Sequence, residues 1–231
     1  MLKKFLITGA SLLALVAWPG RQATAADPRH GSPEPVLPAA TTNVPAGDYA
    51  LDLAHASLIF RVNHLGFSNY TARFKRFDAT LQFDPANLAA SKVVATVDAE
   101  SLETDFPDPA RLDFNAVLQG AAWLAVAQFP EMTFESRHID VTGANTVRIH
   151  GELTLHGVTR PIVLEATFNG GYAGHPMDPN ARIGFSAQAT LKRSEFGIAY
   201  GIPAPGTTMG VSDEVHVVIE AEFTGPPLVP R

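Results

Sequence analysis

The sequence predicts an all-β fold of short antiparallel strands with one short helical insertion near residues 108–128. Three observations carry that prediction. From Asp48 onward, apolar and polar residues alternate in eight runs, which puts successive side chains on opposite faces of a strand. Clusters of Gly, Pro, Asn and Asp separate the runs. Only Pro107 to Phe129 spaces its apolar residues at a roughly helical period, between two prolines that bracket it. Strands at this spacing with hairpin-like connections form a sandwich or an up-and-down barrel.

The chain begins with a segment that reads as an export signal. Lys3 and Lys4 precede an apolar stretch from Phe5 to Trp18, and Ala23-Thr24-Ala25 is a small-residue cleavage site, so residues 1–25 are expected to be removed. That stretch is short for a membrane span, and nothing later approaches one, so no integral membrane segment is expected after signal removal. Residues 26–47 hold Pro28, Pro33, Pro35, Pro38 and Pro45 without a sustained apolar period and read as a flexible leader. Residues 48–225 form the folded domain, a length that one core accommodates. Residues 226–231 form a tail; Leu228-Val229-Pro230-Arg231 resembles a protease-site remnant of an expression vector, and a native tail stays open.

Within the domain a short opening strand is expected at Tyr49 to Asp52. Leu58, Phe60, Val62 and His64 then share a face, followed by Phe77, Ala79, Leu81 and Phe83; Phe74 is out of phase, which suggests a bulge near Lys75-Arg76. Val93, Ala95, Val97 and Ala99 form the third run, and Met132, Phe134 and Ser136 the fourth, after the helical insertion. Four cleaner runs follow: Val147 to Leu155, Ile162 to Phe168, Ile183 to Leu191 and Val215 to Phe223. Asp84-Pro85-Ala86-Asn87, Gly143-Ala144-Asn145, His156-Gly157, Asn169-Gly170-Gly171 and Asp178-Pro179-Asn180 supply the reversals.

Composition removes several function classes. The formal charge is −6, and loss of Lys3, Lys4 and Arg21 with the signal makes the mature chain more acidic still, a poor match for nucleic acid or anionic membranes. The chain has no Cys, so disulfides, Cys zinc sites and Cys nucleophiles are all excluded. No metal and no cofactor are expected, since no tight His pair or carboxylate-rich loop appears. Ser194 beside Glu195, or Ser57 near His55, lies outside any nucleophile-elbow phrase, and Asp105, Asp108 and Asp113 read as partners of a helix start. The chain reads as a protein without catalysis.

Four phrases, in order along nearly the whole domain, resemble the YceI-like family of bacterial periplasmic polyisoprenoid-binding proteins. They are Tyr49 to Ser57 with Phe60-Arg61-Val62-Asn63-His64-Leu65-Gly66; Phe129-Pro130-Glu131-Met132-Thr133-Phe134-Glu135-Ser136; Gly151-Glu152-Leu153-Thr154-Leu155-His156-Gly157-Val158-Thr159-Arg160-Pro161; and Lys192-Arg193-Ser194-Glu195-Phe196-Gly197-Ile198. The resemblance implies an eight-stranded, lipocalin-like barrel in the periplasm, whose interior holds an isoprenoid lipid such as a quinone or a polyprenyl phosphate. The chain departs from the family in the insertion, where Gly120-Ala121-Ala122-Trp123-Leu124-Ala125 replaces a more polar helix.

An eight-stranded barrel either fills with its own side chains or holds one slender ligand. The inward phase here mixes aromatics with many Ala and Gly residues, Gly151 among them, which leaves room for a ligand. The expected ligand-binding residues are Phe60, Val62, His64, Phe77, Leu81, Phe83, Val97, Phe134, Leu153, Phe168, Phe185 and Phe223. His64, or His55 at the mouth of the same strand, would hydrogen-bond a head group or serve as an ordinary structural histidine, in the case of His55 through Asp52. His138, His150, His156 and His216 fall on outward phases. Arg160 and Arg193 suit either a phosphate or a polar hairpin face. A head-group hydrolase or isomerase, and a solid-cored interaction module working through Gly201 to Gly210, are the alternatives; a homodimer is compatible with the sequence.

Overall fold

The computed structural model describes residues 43–228. The export signal over residues 1–25, most of the leader and the end of the tail therefore lie outside the described residues. The elements in order are β1 (Gly47–Leu51), β2 (Ser57–His64), β3 (Ser68–Phe74), β4 (Phe77–Phe83), β5 (Lys92–Asp98), β6 (Leu102–Glu103), α1 (Phe114–Gln119), β7 (Glu131–Val141), β8 (Thr146–Leu155), β9 (Val158–Tyr172), β10 (Asn180–Lys192) and β11 (Val211–Pro227).

These eleven strands make eight walls, because the first three walls are each broken in two. β1 and β2 lie end to end along one edge of β11, with Leu51 opposite Phe223 and Leu58 opposite Ile219. β4 and β3 lie against them in the same way, Leu81 facing Tyr49 and Ala72 facing Phe60. β5 and β6 continue the series, Val97 facing Phe77 and Leu102 facing Phe74. β5 then joins β7, and β7 to β11 are single long strands, each paired with its sequence neighbour. The pairing of β11 with β1 closes an antiparallel barrel of eight walls. Closure removes the exposed edges of an open sheet.

The breaks have local causes. Asp52 accepts the Ala54 N–H at 3.0 Å and folds Leu53–His55 into a single tight turn between β1 and β2. Asp98 does the same through the Glu100 N–H at 2.8 Å, turning Ala99–Ser101 between β5 and β6. That turn faces the Lys75-Arg76 break between β3 and β4, and Ser101 stitches the two together. Its hydroxyl, buried at 1% exposure, accepts the Arg76 N–H at 2.9 Å and donates to the Asp98 carbonyl at 2.7 Å. Its carbonyl takes the Lys75 N–H at 3.1 Å.

Several expectations change here. Phe74 does not mark a bulge: it ends a separate strand, β3, and the odd offset from Phe74 to Phe77 is absorbed by breaking the wall. β6 has two residues, too few to show a period. The packed chain starts before Asp48, because Val44 is 3% exposed and the buried Tyr49 hydroxyl, pushed up to about 12 by desolvation, donates to the Pro45 carbonyl at 2.7 Å. The wall also runs past Gly225, with Leu228 N–H bonded to the Pro179 carbonyl at 2.6 Å. The helical insertion is a single short helix, capped by Asp113 on the Ala116 N–H at 2.9 Å, and turns follow it to Phe129.

Apolar packing concentrates at the two ends of the barrel. One cluster gathers Phe74, Leu102, Met132, Leu155, Phe196 and Ile198, with Leu118, Trp123 and Leu124 of the insertion packed on it. The other gathers Val44, Tyr49, Leu81, Phe83, Ile183 and Phe223.

Replacing Ser101 by Ala leaves the part-buried Arg76 N–H without its acceptor, which costs about 1–3 kcal/mol. Denaturant unfolding of Ser101→Ala should show that loss with an unchanged m-value; stability within 0.5 kcal/mol of the parent, about the size of a neutral surface change, would dismiss the stitch.

Candidate functional site

Between the two clusters the barrel is hollow. A cavity of about 900 Å³ runs through the interior, walled almost wholly by carbon. All twelve residues expected from the sequence line it. They divide by burial. Leu81, Phe83, Phe134 and Phe223 are 5–8% exposed and belong to the packing at the barrel ends and wall. Phe60, Val62, Phe77, Val97, Leu153, Phe168 and Phe185 point inward yet remain only half-buried, because they face open space inside the ring. A filled core would have buried them. The solid-cored alternative is therefore not the structure the chain adopts.

The space comes from small inward residues at mid-barrel, Ala79, Ala95, Ala187 and Ala221, each lining the cavity. Gly151 contributes differently from expectation. A Cβ there would lie 2.4 Å from the Phe134 ring, so Phe134 occupies the room that Gly151 leaves.

The insertion and the second wall add lining residues missing from the expected set: Tyr70 and Phe74 on β3, then Phe106, Phe114 and Trp123. The β3 contribution was visible as Tyr70, Ala72 and Phe74 alternating with Asn69, Thr71 and Arg73. The insertion residues have no strand period to reveal their direction. Tyr70 also ties the two together, donating its hydroxyl to the Thr104 carbonyl at 3.0 Å.

The polar candidates separate cleanly. His64 lines the cavity and is exposed at its rim. His55 lies outside it, with Nδ1 3.0 Å from the Asp52 carboxylate and 3.9 Å from Glu222. Asp52, His55 and Glu222 bring three ligand atoms within 4.8 Å of one another. Arg182 also bonds the Asp52 carboxylate and continues to Asp178 at 2.6 Å, so the cluster closes as an ion network. The His55 and Arg182 hydrogen bonds hold the Asp52 carboxyl down at about 2.

Arg193 is 4% exposed and lines the cavity, but its guanidinium is committed. It donates to the carbonyls of Ser212, Ile198, Tyr200 and Val211 at 2.8–3.0 Å and lies 5.3 Å over the Trp123 ring. This side chain clamps the 198–212 loop. Arg160 reaches the Glu195 carbonyl at 3.2 Å, fixing the same corner from outside. His156, expected on the surface, is half-buried: at φ 52° beside Gly157 at φ 71° it makes the two-residue β8–β9 turn. Its ring packs 4.8 Å from Phe129, and Nδ1 bonds the Phe196 carbonyl at 3.0 Å.

A closed antiparallel ring around an apolar cavity defines the class of hollow, lipocalin-like barrels. The chain belongs to the YceI-like family, whose domain matches residues 49–223. A UPF0312 protein of Vibrio cholerae is 37% identical over 174 residues, covering 74% of this chain and 86% of the relative. A solved YCEI protein of Campylobacter jejuni shares 29% identity at a TM-score of 0.59, over 71% of this chain and 90% of that one. At 16% identity and a TM-score of 0.55, a polyisoprenoid binding domain from Saccharophagus degradans shares the fold over 77% of this chain and 98% of its own.

The Asp52 hydrogen bond is the largest cause raising the pKa of His55 above 6.5. The pair therefore contributes stability at pH values above the carboxyl's about 2 and loses it as the pH rises through the raised His55 value. An NMR titration should find the His55 midpoint above 6.5 and lowered in Asp52→Asn; equal midpoints in the two proteins would refute the pairing.

Proposed function

We propose that this chain binds a polyisoprenoid lipid, an isoprenoid quinone or a polyprenyl phosphate, inside the barrel and serves as a periplasmic carrier or reservoir without catalysing a reaction. The observation that carries the reading is the hollow apolar interior, into which half-buried inward side chains face open space. The polyisoprenoid binding named for the Saccharophagus relative agrees with it, as does the export signal read at the N-terminus. No described helix is long and apolar enough to cross a membrane.

The dimensions suit a slender apolar chain. At about 30 Å³ per non-hydrogen atom, the share of a water molecule in the liquid, 900 Å³ accommodates a tail of roughly thirty atoms. Burial contributes about 0.8 kcal/mol per CH₂, against an association cost of roughly 4–15 kcal/mol. A tail of that length binds without help from hydrogen bonds. On this reading His64, which lines the cavity and is exposed, meets a quinone carbonyl or a phosphate.

Organic extraction of gently purified, exported protein followed by mass spectrometry should release a prenyl lipid. Protein that is repeatedly empty and takes up no quinone or prenol overturns the reading. Ala187→Trp places an indole in mid-cavity, where Ala187 lies between Ala166 and Ile219 on the neighbouring strands. Prenol affinity should fall by at least about tenfold, the equivalent of two lost methylenes, while the melting temperature holds. Unchanged affinity would place the ligand elsewhere.

A further inference from the structure

The chain carries three large apolar side chains far out of the surface at one end of the barrel. Phe67 is 81% exposed, Met209 71% and Tyr200 61%. Phe67 sits at the tip of the β2–β3 hairpin, and Met209 in the loop that leads into β11. The two tips are joined: the Leu65 N–H donates to the Gly210 carbonyl at 2.9 Å, and a Cβ on Gly66 would meet Thr208 at 3.1 Å. Behind them the wall belongs to the cavity, since His64 pairs with Val211 and both line it. Tyr200 packs edge-on at 5.3 Å against Trp123, another lining residue.

Charge separates this end from the other. Tyr200 to Gly210 contains no charged residue, and neither does Leu65-Gly66-Phe67. The adjacent insertion bears Asp105, Asp108, Arg111 and Asp113, a net acidic set. Met177, 90% exposed at the opposite end, is by contrast surrounded by His175, Asp178 and the Asp52–Arg182 network. Uncharged apolar tips are ordinarily costly to leave in water, and contiguous ones mark a surface that meets lipid or another protein. These tips carry no ionic group to fix the orientation of a protein partner, and their neighbours His64, Val211 and Trp123 line an apolar cavity.

We propose that Phe67, Met209 and Tyr200 form a docking face that enters the outer layer of a net-neutral lipid bilayer, setting this end of the cavity against the membrane from which the ligand is drawn. The choice of lipid as partner rests on the isoprenoid-binding reading above. Docking through apolar tips is insensitive to salt, unlike attachment by basic residues.

The test uses phosphatidylcholine vesicles free of isoprenoid, the full chain and a Phe67→Asp, Met209→Asp double variant. Both proteins share one N-terminal segment, so their difference reads the tips alone. The parent should float with the vesicles equally at low and high salt, and the variant's partition should fall by at least about tenfold for each apolar side chain replaced. A second arm follows a fluorescent prenol into the protein, once from vesicles and once from cyclodextrin. The variant should load slowly from vesicles and normally from cyclodextrin, which also shows that its barrel is intact. A parent that ignores these vesicles, a variant that floats as well as the parent, or binding confined to anionic vesicles and abolished by salt would each overturn the proposal. If the parent floats, the variant does not and neither protein takes up prenol from any source, the docking face stands and the isoprenoid reading fails.

Discussion

The width of a closed eight-walled ring is fixed by its strand count and tilt, and at that width the interior is only just filled by large side chains. This chain supplies large ones at the ends and small ones between. Tyr49 against Phe83, with ring centroids at 5.9 Å, packs one end, and Phe60 against Phe74 at 5.6 Å helps pack the other. Ala79, Ala95, Ala187 and Ala221 occupy the middle. The ring cannot shrink around them, because its circumference is set by the backbone ladder. The cavity is a consequence of that mismatch, and the rest of the structure has to hold a hollow cylinder open.

It does so by moving stability out of the centre. The backbone ladder closes on itself through β1 and β11. The second and third walls bend together where the Ser101 stitch replaces ladder bonds with side-chain bonds, and no buried side-chain polar atom is unpaired among the described residues. β6 ends after two residues and β7 does not pair with it, and the insertion from Thr104 to Pro130 covers that opening with Leu118, Trp123 and Leu124. A ligand that fills the cavity would bind only the folded ring, so its occupancy adds to stability by mass action.

Most of this is legible in the sequence. The period of two identified the inward face on a strand of each of the eight walls, and all twelve expected residues line the cavity. What escaped shared no continuous period with the strands around it. The β3 strand was hidden because its phase conflicts with that of β4, a conflict resolved by breaking the chain between Phe74 and Phe77. Phe106 and Trp123 reach the cavity from irregular backbone and Phe114 from the start of the short helix α1, where a strand period says nothing of direction. From its phrase alone Arg193 suited either a phosphate or a polar hairpin face. Only the fold shows its donors turned onto four carbonyls of a neighbouring loop.

That arginine also explains how the two ends of the barrel come to differ. At the Asp52 end, charged side chains tie strands together on the surface: Asp52, Arg182 and Asp178 form one chain of ion pairs, extended by the Tyr172 hydroxyl to Asp178 at 2.6 Å. At the other end the loop from Ile198 to Ser212 is held from inside by a single buried guanidinium that satisfies its carbonyls. A loop anchored from within needs no ionic residue on its outer side. Its exposed sequence is free to be Gly, Pro, Thr, Met and Tyr, and the burial of one charge beneath it is what allows an uncharged apolar rim beside the cavity.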